Sequence, residues 1–230
     1  ADKSRREAEL LSSLNAYGVA APKYHGQITL DGMPGYIMEY IPGCSLLDYF
    51  MSHSLQCGKI ARRFASIQAD VNKTQPPEGF EDETNSVRWC VEHSNLPQKY
   101  IQFGLSVLES LRKGNDLCHS DYNLANVLIN AIDEPVLIDW GGAAKGNYVS
   151  DVANATLMIM NGGTPPEMDR LTKIMIAFMR RTFERKYLRH YRRLRPFTKR
   201  ELHDWQVVRA IGRMAYCVEG EKRNLLAFID

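Results

Sequence analysis

Apolar residues recur along this chain in two rhythms, one close to the helical repeat and one of simple alternation, and their order predicts an α+β protein. Leu10, Leu11 and Leu14 share a helical face with Glu7, and Ser4-Arg5-Arg6-Glu7 has the form of a capping box, so an amphipathic helix is expected to open there. Gly18 and Pro22 end it. Two strand-like runs follow, 24–30 and 36–41, and the Asp31-Gly32 and Pro34-Gly35 steps between them predict a hairpin. After Pro42-Gly43 the pattern turns helical, with helices expected over 46–52 and 55–72. The stretch 74–86 is polar and acidic and contains Pro and Gly, which predicts a loop. Residues 98–113 read as a long helix with Ile101, Leu105, Leu108 and Leu111 on its apolar face and Gly114-Asn115 as its stop. Short alternating runs at 117–119, 127–130 and 136–138 predict small strands. Two more capping boxes, Thr164-Pro165-Pro166-Glu167 and Thr198-Lys199-Arg200-Glu201, open long helices over 165–190 and 199–218. The chain thus reads as a small α+β portion followed by a mainly helical body.

Composition narrows the class only a little. With 230 residues, 44% apolar and 24% charged, there is room for one large domain, or one domain plus part of a second. No apolar run approaches the ~18 residues of a membrane helix, so no membrane partner is expected. The opening ADKSRREAELL is charged and then amphipathic, unlike a secretory signal. Cys44, Cys57, Cys90, Cys118 and Cys217 are odd in number, far apart and without metal spacing. They read as reduced, mostly small apolar fillers of a cytoplasmic protein. The net charge of +2 hides an asymmetry, since residues 170–213 hold 14 Lys or Arg against three acids, a net of +11 that leaves −9 on the remainder.

The residues with most chemical content lie between apolar flanks. His119, Asp121, Asn123 and Asn126 fall within Leu117–Ile129, and Asp139 ends the apolar run that begins at Pro135. A carboxylate beside buried apolar side chains is costly unless something cationic neutralises it. Two carboxylates and an amide oxygen at the ends of adjacent strands suit a hard cation such as Mg2+. Phosphoryl transfer needs such an arrangement: metal ions bridge phosphate oxygens, and a carboxylate orients and deprotonates the receiving hydroxyl.

The segment from His119 to Asn126, HSDYNLAN, resembles the H-x-D-x-x-x-x-N catalytic loop of the aminoglycoside phosphotransferase and choline kinase family. Ile138-Asp-Trp-Gly-Gly142 resembles its metal motif, and the steps of five residues from Asp121 to Asn126 and thirteen from Asn126 to Asp139 also match. The resemblance implies a protein kinase-like two-lobed fold with a truncated N-lobe over 1–41 and a helical C-lobe over 42–230. It implies an ATP- and Mg2+-dependent phosphotransferase acting on a hydroxyl of a small molecule. Asp121 would be the catalytic base, Asn126 and Asp139 would hold Mg2+, and His119 would brace the loop. Ser120 stands where this family has glycine or protein kinases have arginine, and Trp140 where protein kinases have phenylalanine, so the small-molecule branch fits better.

Further roles follow only from the resemblance. Met38 would line the adenine pocket, with the Glu39 carbonyl and the Ile41 amide bonding the base; the alternative is an ordinary buried strand. Asp151 would brace the catalytic loop, or simply cap a helix. Glu7 would be the helix glutamate that pairs with a phosphate-binding lysine, or merely the third residue of its capping box, while Lys3 reads as a solvated helix-start lysine. The resemblance does not reach the family's first three strands, which cover the phosphates. A catalytically silent kinase-like module that binds a nucleotide or a partner is therefore the competing reading.

In this family the acceptor molecule lies against the C-terminal helices. Here these carry the net +11 segment, a poor complement to a polycationic aminoglycoside, and the nearby acids are Glu78, Glu81, Asp82, Glu83, Glu219 and Glu221. A neutral or anionic hydroxyl compound is expected instead, unless the loop at 78–83 folds over to supply carboxylates; the basic run is otherwise a solvated helix face or a surface for an acidic partner protein. Tyr187, Tyr191 and Phe197 would permit base stacking, but aromatic residues at helical spacing more often belong to a core. Nucleic acid is not the expected partner.

Overall fold

The structure, a computed structural model, describes residues 2–163, 167–216 and 219–229. Helix α1 (Asp2–Ala16) buries Ala8, Leu10, Leu11 and Leu14, the face that the apolar spacing predicts. The helix begins two residues before Ser4, so Ser4 and Glu7 do not occupy the cap and third positions of a capping box. The side chains of Lys3 and Ser4 lie outside the described residues. Strands β1 (Tyr24–Leu30) and β2 (Met33–Met38) form an antiparallel hairpin. Its turn is the Asp31-Gly32 step alone, both residues having positive φ (51° and 76°), as a primed two-residue turn requires. Pro34 and Gly35, expected in the turn, pair within β2 instead, opposite Thr29 and Ile28. The strand stops at Met38, short of the expected Ile41. This hairpin is a sheet of its own and exposes Ile28, Leu30, Met33, Ile37 and Met38.

The remainder is mainly helical. After β3 (Gly43–Ser45) come α2 (Leu46–Ser52), α3 (Cys57–Lys73), α4 (Glu83–Glu92) and α5 (Gln98–Ser110). Helix α4 overturns part of the expected 74–86 loop: the Asp82 side chain accepts from Thr84 N–H at 2.8 Å and starts a helix inside the acidic stretch. Next come β4 (Asp116–Cys118), β5 (Val127–Asn130), β6 (Pro135–Leu137) and β7 (Ala144–Gly146). They make two small antiparallel sheets, ordered β3-β5-β6 and β4-β7.

Helix α6 (Tyr148–Asn161) runs through the middle of the body and is buried along most of its length. Helix α7 (Arg170–Leu194) starts behind an Asp169 cap; the expected box residues Thr164, Pro165 and Pro166 lie outside the described residues. Helix α8 (Lys199–Arg213) does begin with the expected capping box: Thr198 Oγ1 accepts from Glu201 N–H at 3.0 Å and the Glu201 carboxylate accepts from Thr198 N–H at 2.8 Å. It ends at Arg213, not 218, and α9 (Glu219–Ile229) follows, with the Glu219 and Glu221 side chains outside the described residues. The core joins α3, α6, α7 and α8 through Phe64, Phe183, Tyr187, Tyr191, Trp205 and Ile211. Of the described cysteines only Cys118 is fully buried, Cys44 is exposed, and none is in a disulfide; Cys217 lies outside the described residues.

Candidate active site

The chain from His119 to Asn126 links β4 to β5, and Asp139 follows β6. Because β5 pairs with β6 and β4 with β7, both polar segments reach the same place. His119 is fully buried there. Its Nε2–H donates to the Ile138 carbonyl at 3.0 Å, while Nδ1 accepts the Asp121 backbone N–H at 3.3 Å. Only neutral imidazole with its proton on Nε2 satisfies both bonds. Burial also pushes the His119 pKa below the ordinary histidine value. The ring leans on Trp140, with ring centres 4.5 Å apart. His119 therefore ties the backbone of Asp121 to the residue before Asp139.

Asn126 fixes the Asp121 side chain. Its Nδ2 donates to the Asp121 backbone carbonyl and to Asp121 Oδ2, each at 3.0 Å. Asn123 shapes the turn between them, accepting the N–H groups of Ala125 and Asn126 on Oδ1. Burial raises the Asp121 carboxyl above its ordinary range and the nearby Asp139 charge adds to the rise, against the Asn126 bond and the Arg213 charge. Asp139 itself holds a left-handed backbone (φ 63°, ψ 58°), a conformation Asp tolerates better than most residues. Asp121 and Asp139 line one cleft of about 670 Å³ together with Glu7, Gly141, Asn154 and the α8 residues Arg209 and Arg213.

Behind the loop stands Asp151, fully buried, with no cation paired to it among the described residues. Its carboxylate accepts from Ser120 N–H (2.8 Å), Asn72 Nδ2 (3.1 Å), Gln68 Nε2 (3.2 Å) and His119 N–H (3.4 Å). Four donors substitute for the water it has lost. The capping alternative does not hold, because Asn147 caps α6 by accepting Val149 N–H at 2.9 Å. The network extends outward: Tyr191 donates its hydroxyl to Asn72 Oδ1 at 2.7 Å, and Tyr187 donates to Gln68 Oε1.

Glu7 lines the cleft from α1 and shares a crevice with Tyr36. Burial, and then this carboxylate, push the Tyr36 phenol up. Met38 lines a small crevice with Glu7, Tyr36, Asp139 and Trp140. Glu39 and Ile41 do not line it. The Glu39 backbone N–H bonds the Lys23 carbonyl at 2.8 Å, and Ile41 lies past the end of β2. The sequence named Glu83 only as one of several nearby acids, and gave no sign of Asn154 or of the pairing with Arg209. Glu83 is a buried α4 residue paired with Arg209, and burial raises its carboxyl while Arg209 opposes the rise.

Of the expectations for the arginine-rich run, the solvated helix face is the one that holds for α7. Arg181, Arg185, Lys186, Arg189, Arg192 and Arg193 are exposed on α7, and none lines the cleft. Only Arg209 and Arg213 of the segment do so, joined by Arg6 from α1. Three of the acids expected beside the acceptor molecule are engaged. Glu81 pairs with Arg6 at 2.9 Å, Asp82 caps α4 and Glu83 pairs with Arg209.

A family model described as the phosphotransferase enzyme family matches residues 1–197. The chain belongs to this family. Several solved structures share its fold. An aminoglycoside-3'-phosphotransferase of type VIII is 16% identical, with a TM-score of 0.63 over 91% of this chain and 80% of that one. Choline kinase LicA from Streptococcus pneumoniae is 15% identical, with a TM-score of 0.59 over 99% of this chain and 82% of that one. LicA is also known in complex with AMP, where it is 14% identical with a TM-score of 0.59 over 98% and 76% of the two chains. An aminoglycoside phosphotransferase of Streptomyces rimosus is 13% identical, with a TM-score of 0.61 over 92% and 83%. No curated relative matches at the sequence level. The fold of this phosphotransferase-family chain is thus the kinase-like one, with a short N-terminal lobe and a mainly helical C-terminal lobe. Among the described residues no helix is long and apolar enough to cross a membrane.

Proposed function

We propose that this chain carries the catalytic machinery of an ATP- and Mg2+-dependent phosphotransferase that moves the γ-phosphoryl group to a hydroxyl of a small molecule. The observation that supports this best is that Asp121 and Asp139 line one cleft while Asn126 is hydrogen-bonded to Asp121. Residues 1–41 then belong to the nucleotide lobe and 42–230 to the helical lobe. Asp121 takes the proton of the attacking hydroxyl, and its raised pKa brings it closer to the operating pH, as a general base requires. His119 and Asn126 hold that carboxylate in one direction, and Asp151 holds the loop that carries it.

The donor set fits Mg2+. Asn126 uses its amide N–H groups on Asp121, which leaves Oδ1 as a neutral oxygen donor, and Asp139 supplies a carboxylate. Among the described residues no three His, Cys, Asp or Glu side chains are grouped closely enough to cage an ion unaided. Mg2+ beside a nucleotide takes only one or two such ligands and completes its shell with phosphate and water. When bound, it neutralises charge on the phosphates. Glu7 is placed to order this end of the cleft, with Met38 lining the nucleotide side and the Glu39 carbonyl and Ile41 amide bonding the base. The complex of LicA with AMP is in keeping with nucleotide binding on this fold.

For the acceptor molecule, a neutral or anionic hydroxyl compound remains the favoured class, on new grounds. The exposed α7 arginines do not bear on it, but Glu81 pairs with Arg6, Asp82 caps α4, Glu83 and Arg209 offset each other, and Arg213 stands on the wall. The four described cysteines are free thiols, which suits the cytoplasm. The silent-module reading draws on one feature: among the described residues no lysine lines the cleft. Titration calorimetry with ATP, with and without Mg2+, separates the two. We expect Mg2+-dependent binding that Asp139→Ala weakens by about 10-fold or more, at unchanged Tm. Binding that ignores both the metal and Asp139 would favour the silent module.

A further inference from the structure

One buried ion pair joins the α4–α8 wall of the cleft to the catalytic loop. Glu83 opens α4 and its side chain is 2% exposed; that of Arg209, midway along α8, is 13% exposed. Glu83 Oε1 accepts from the Arg209 guanidinium and from Ser120 Oγ, the latter at 3.3 Å. Arg209 Nε donates to Ser150 Oγ at 2.9 Å, beside Asp151. The other oxygen of Glu83 is buried without a hydrogen-bond partner and lies against Gly146, where any side chain would collide with it.

This pair is a poor choice for stability alone. Desolvating two charges offsets most of their attraction, and an unsatisfied carboxylate oxygen adds a further cost. Its effect is on geometry. Ser120 has φ of +66°, the left-handed region that a residue with a side chain adopts reluctantly. Three hydrogen bonds hold it there. Its N–H donates to Asp151 at 2.8 Å and its carbonyl accepts from Asn154 Nδ2 at 2.6 Å, both on α6. Its hydroxyl bond to Glu83 ties it to α4 instead, and the next residue is Asp121.

Resting on the phosphotransferase reading of this site, we propose that Glu83 and Arg209 are positioning residues: through Ser120 they fix Asp121 and the α4–α8 wall as one unit. Removing the tie costs turnover rather than nucleotide binding, because the Glu83–Arg209 pair bonds Ser120 and Ser150 and no residue of the crevice that Met38 lines.

The test uses the full chain, with Mg-ATP hydrolysis (water standing in for the acceptor molecule) as the turnover measurement. Amide hydrogen exchange over residues 119–126 gives a readout independent of activity. Glu83→Leu is expected to lose about 10- to 100-fold in kcat, the usual scale for a misplaced catalytic group, with KM for Mg-ATP unchanged and faster exchange at Ser120 and Asp121. Glu83→Gln keeps an oxygen for both donors and should recover most of kcat. Ser120→Ala leaves the ion pair in place and should still lower kcat, which decides the matter if Glu83→Leu fails to fold. Wild-type kcat and exchange in Glu83→Leu would overturn the proposal, as would Glu83→Gln being no better than leucine. A wild-type chain that hydrolyses no Mg-ATP would count against the phosphotransferase reading. The exchange measurement would then still decide whether Glu83 holds the loop.

Discussion

The Asp121 carboxylate is set by three neighbours: a neutral imidazole under its backbone, an asparagine on one oxygen and a second carboxylate in the same cleft. As the proposed base it must be ionised, and burial raises its pKa from 3.8. Turnover should therefore fall as pH is lowered through that raised value, with the midpoint of the acid limb above 3.8 in the pH dependence of kcat/KM. An acid limb that follows an unperturbed aspartate would contradict the burial argument. His119 acts on stability in a different window. Its pKa is lowered from 6.5 in the folded state, so below 6.5 the unfolded chain binds a proton that the folded one refuses. Stability falls as pH drops through 6.5 and levels off below the folded-state pKa. His119→Gln should flatten that part of the Tm–pH curve relative to wild type.

At the scale of elements, the catalytic loop is held by helices far away in sequence. Asn72 on α3 donates to the Leu117 carbonyl at 2.8 Å and to Asp151, and it accepts the Tyr191 hydroxyl from α7. Asn72→Leu would leave two or three buried groups unpaired at about 1–3 kcal/mol each, so urea unfolding should show a loss of several kcal/mol. A loss below about 1 kcal/mol would mean that water or repacking replaces the network. These long connections also mark what the sequence could and could not reveal. The Thr198 box, the Asp31-Gly32 turn and the apolar face of α1 are local signals, and they were legible. The bracing by Asp151 came only through family resemblance, since Gln68 and Asn72 lie 83 and 79 residues away. Helix α4 was missed because its first turn is polar and its buried Glu83 has no local signature; only the Arg209 pairing, 126 residues on, makes that burial tolerable. The hairpin Pro-Gly was misassigned because Asp31-Gly32 alone closes the turn.

Over the whole molecule, charge and chemistry are separated. The α7 arginines form an outward face while Phe183, Tyr187 and Tyr191 on the same helix face the core, so the basic run is a solvated surface with respect to the cleft. Reversing two of its charges, Arg185→Glu with Arg189→Glu, should leave kcat and KM for Mg-ATP unchanged. A marked loss would mean that this face reaches the site. The central claim, that Asp121 is the base of a phosphotransferase, is tested most directly by steady-state turnover of the wild type and Asp121→Asn with Mg-ATP and a panel of neutral, anionic and aminoglycoside hydroxyl compounds. The prediction is Mg2+-dependent wild-type turnover that drops by about 10²-fold or more in kcat in Asp121→Asn, with KM for Mg-ATP unchanged. Wild-type kcat in Asp121→Asn would contradict it.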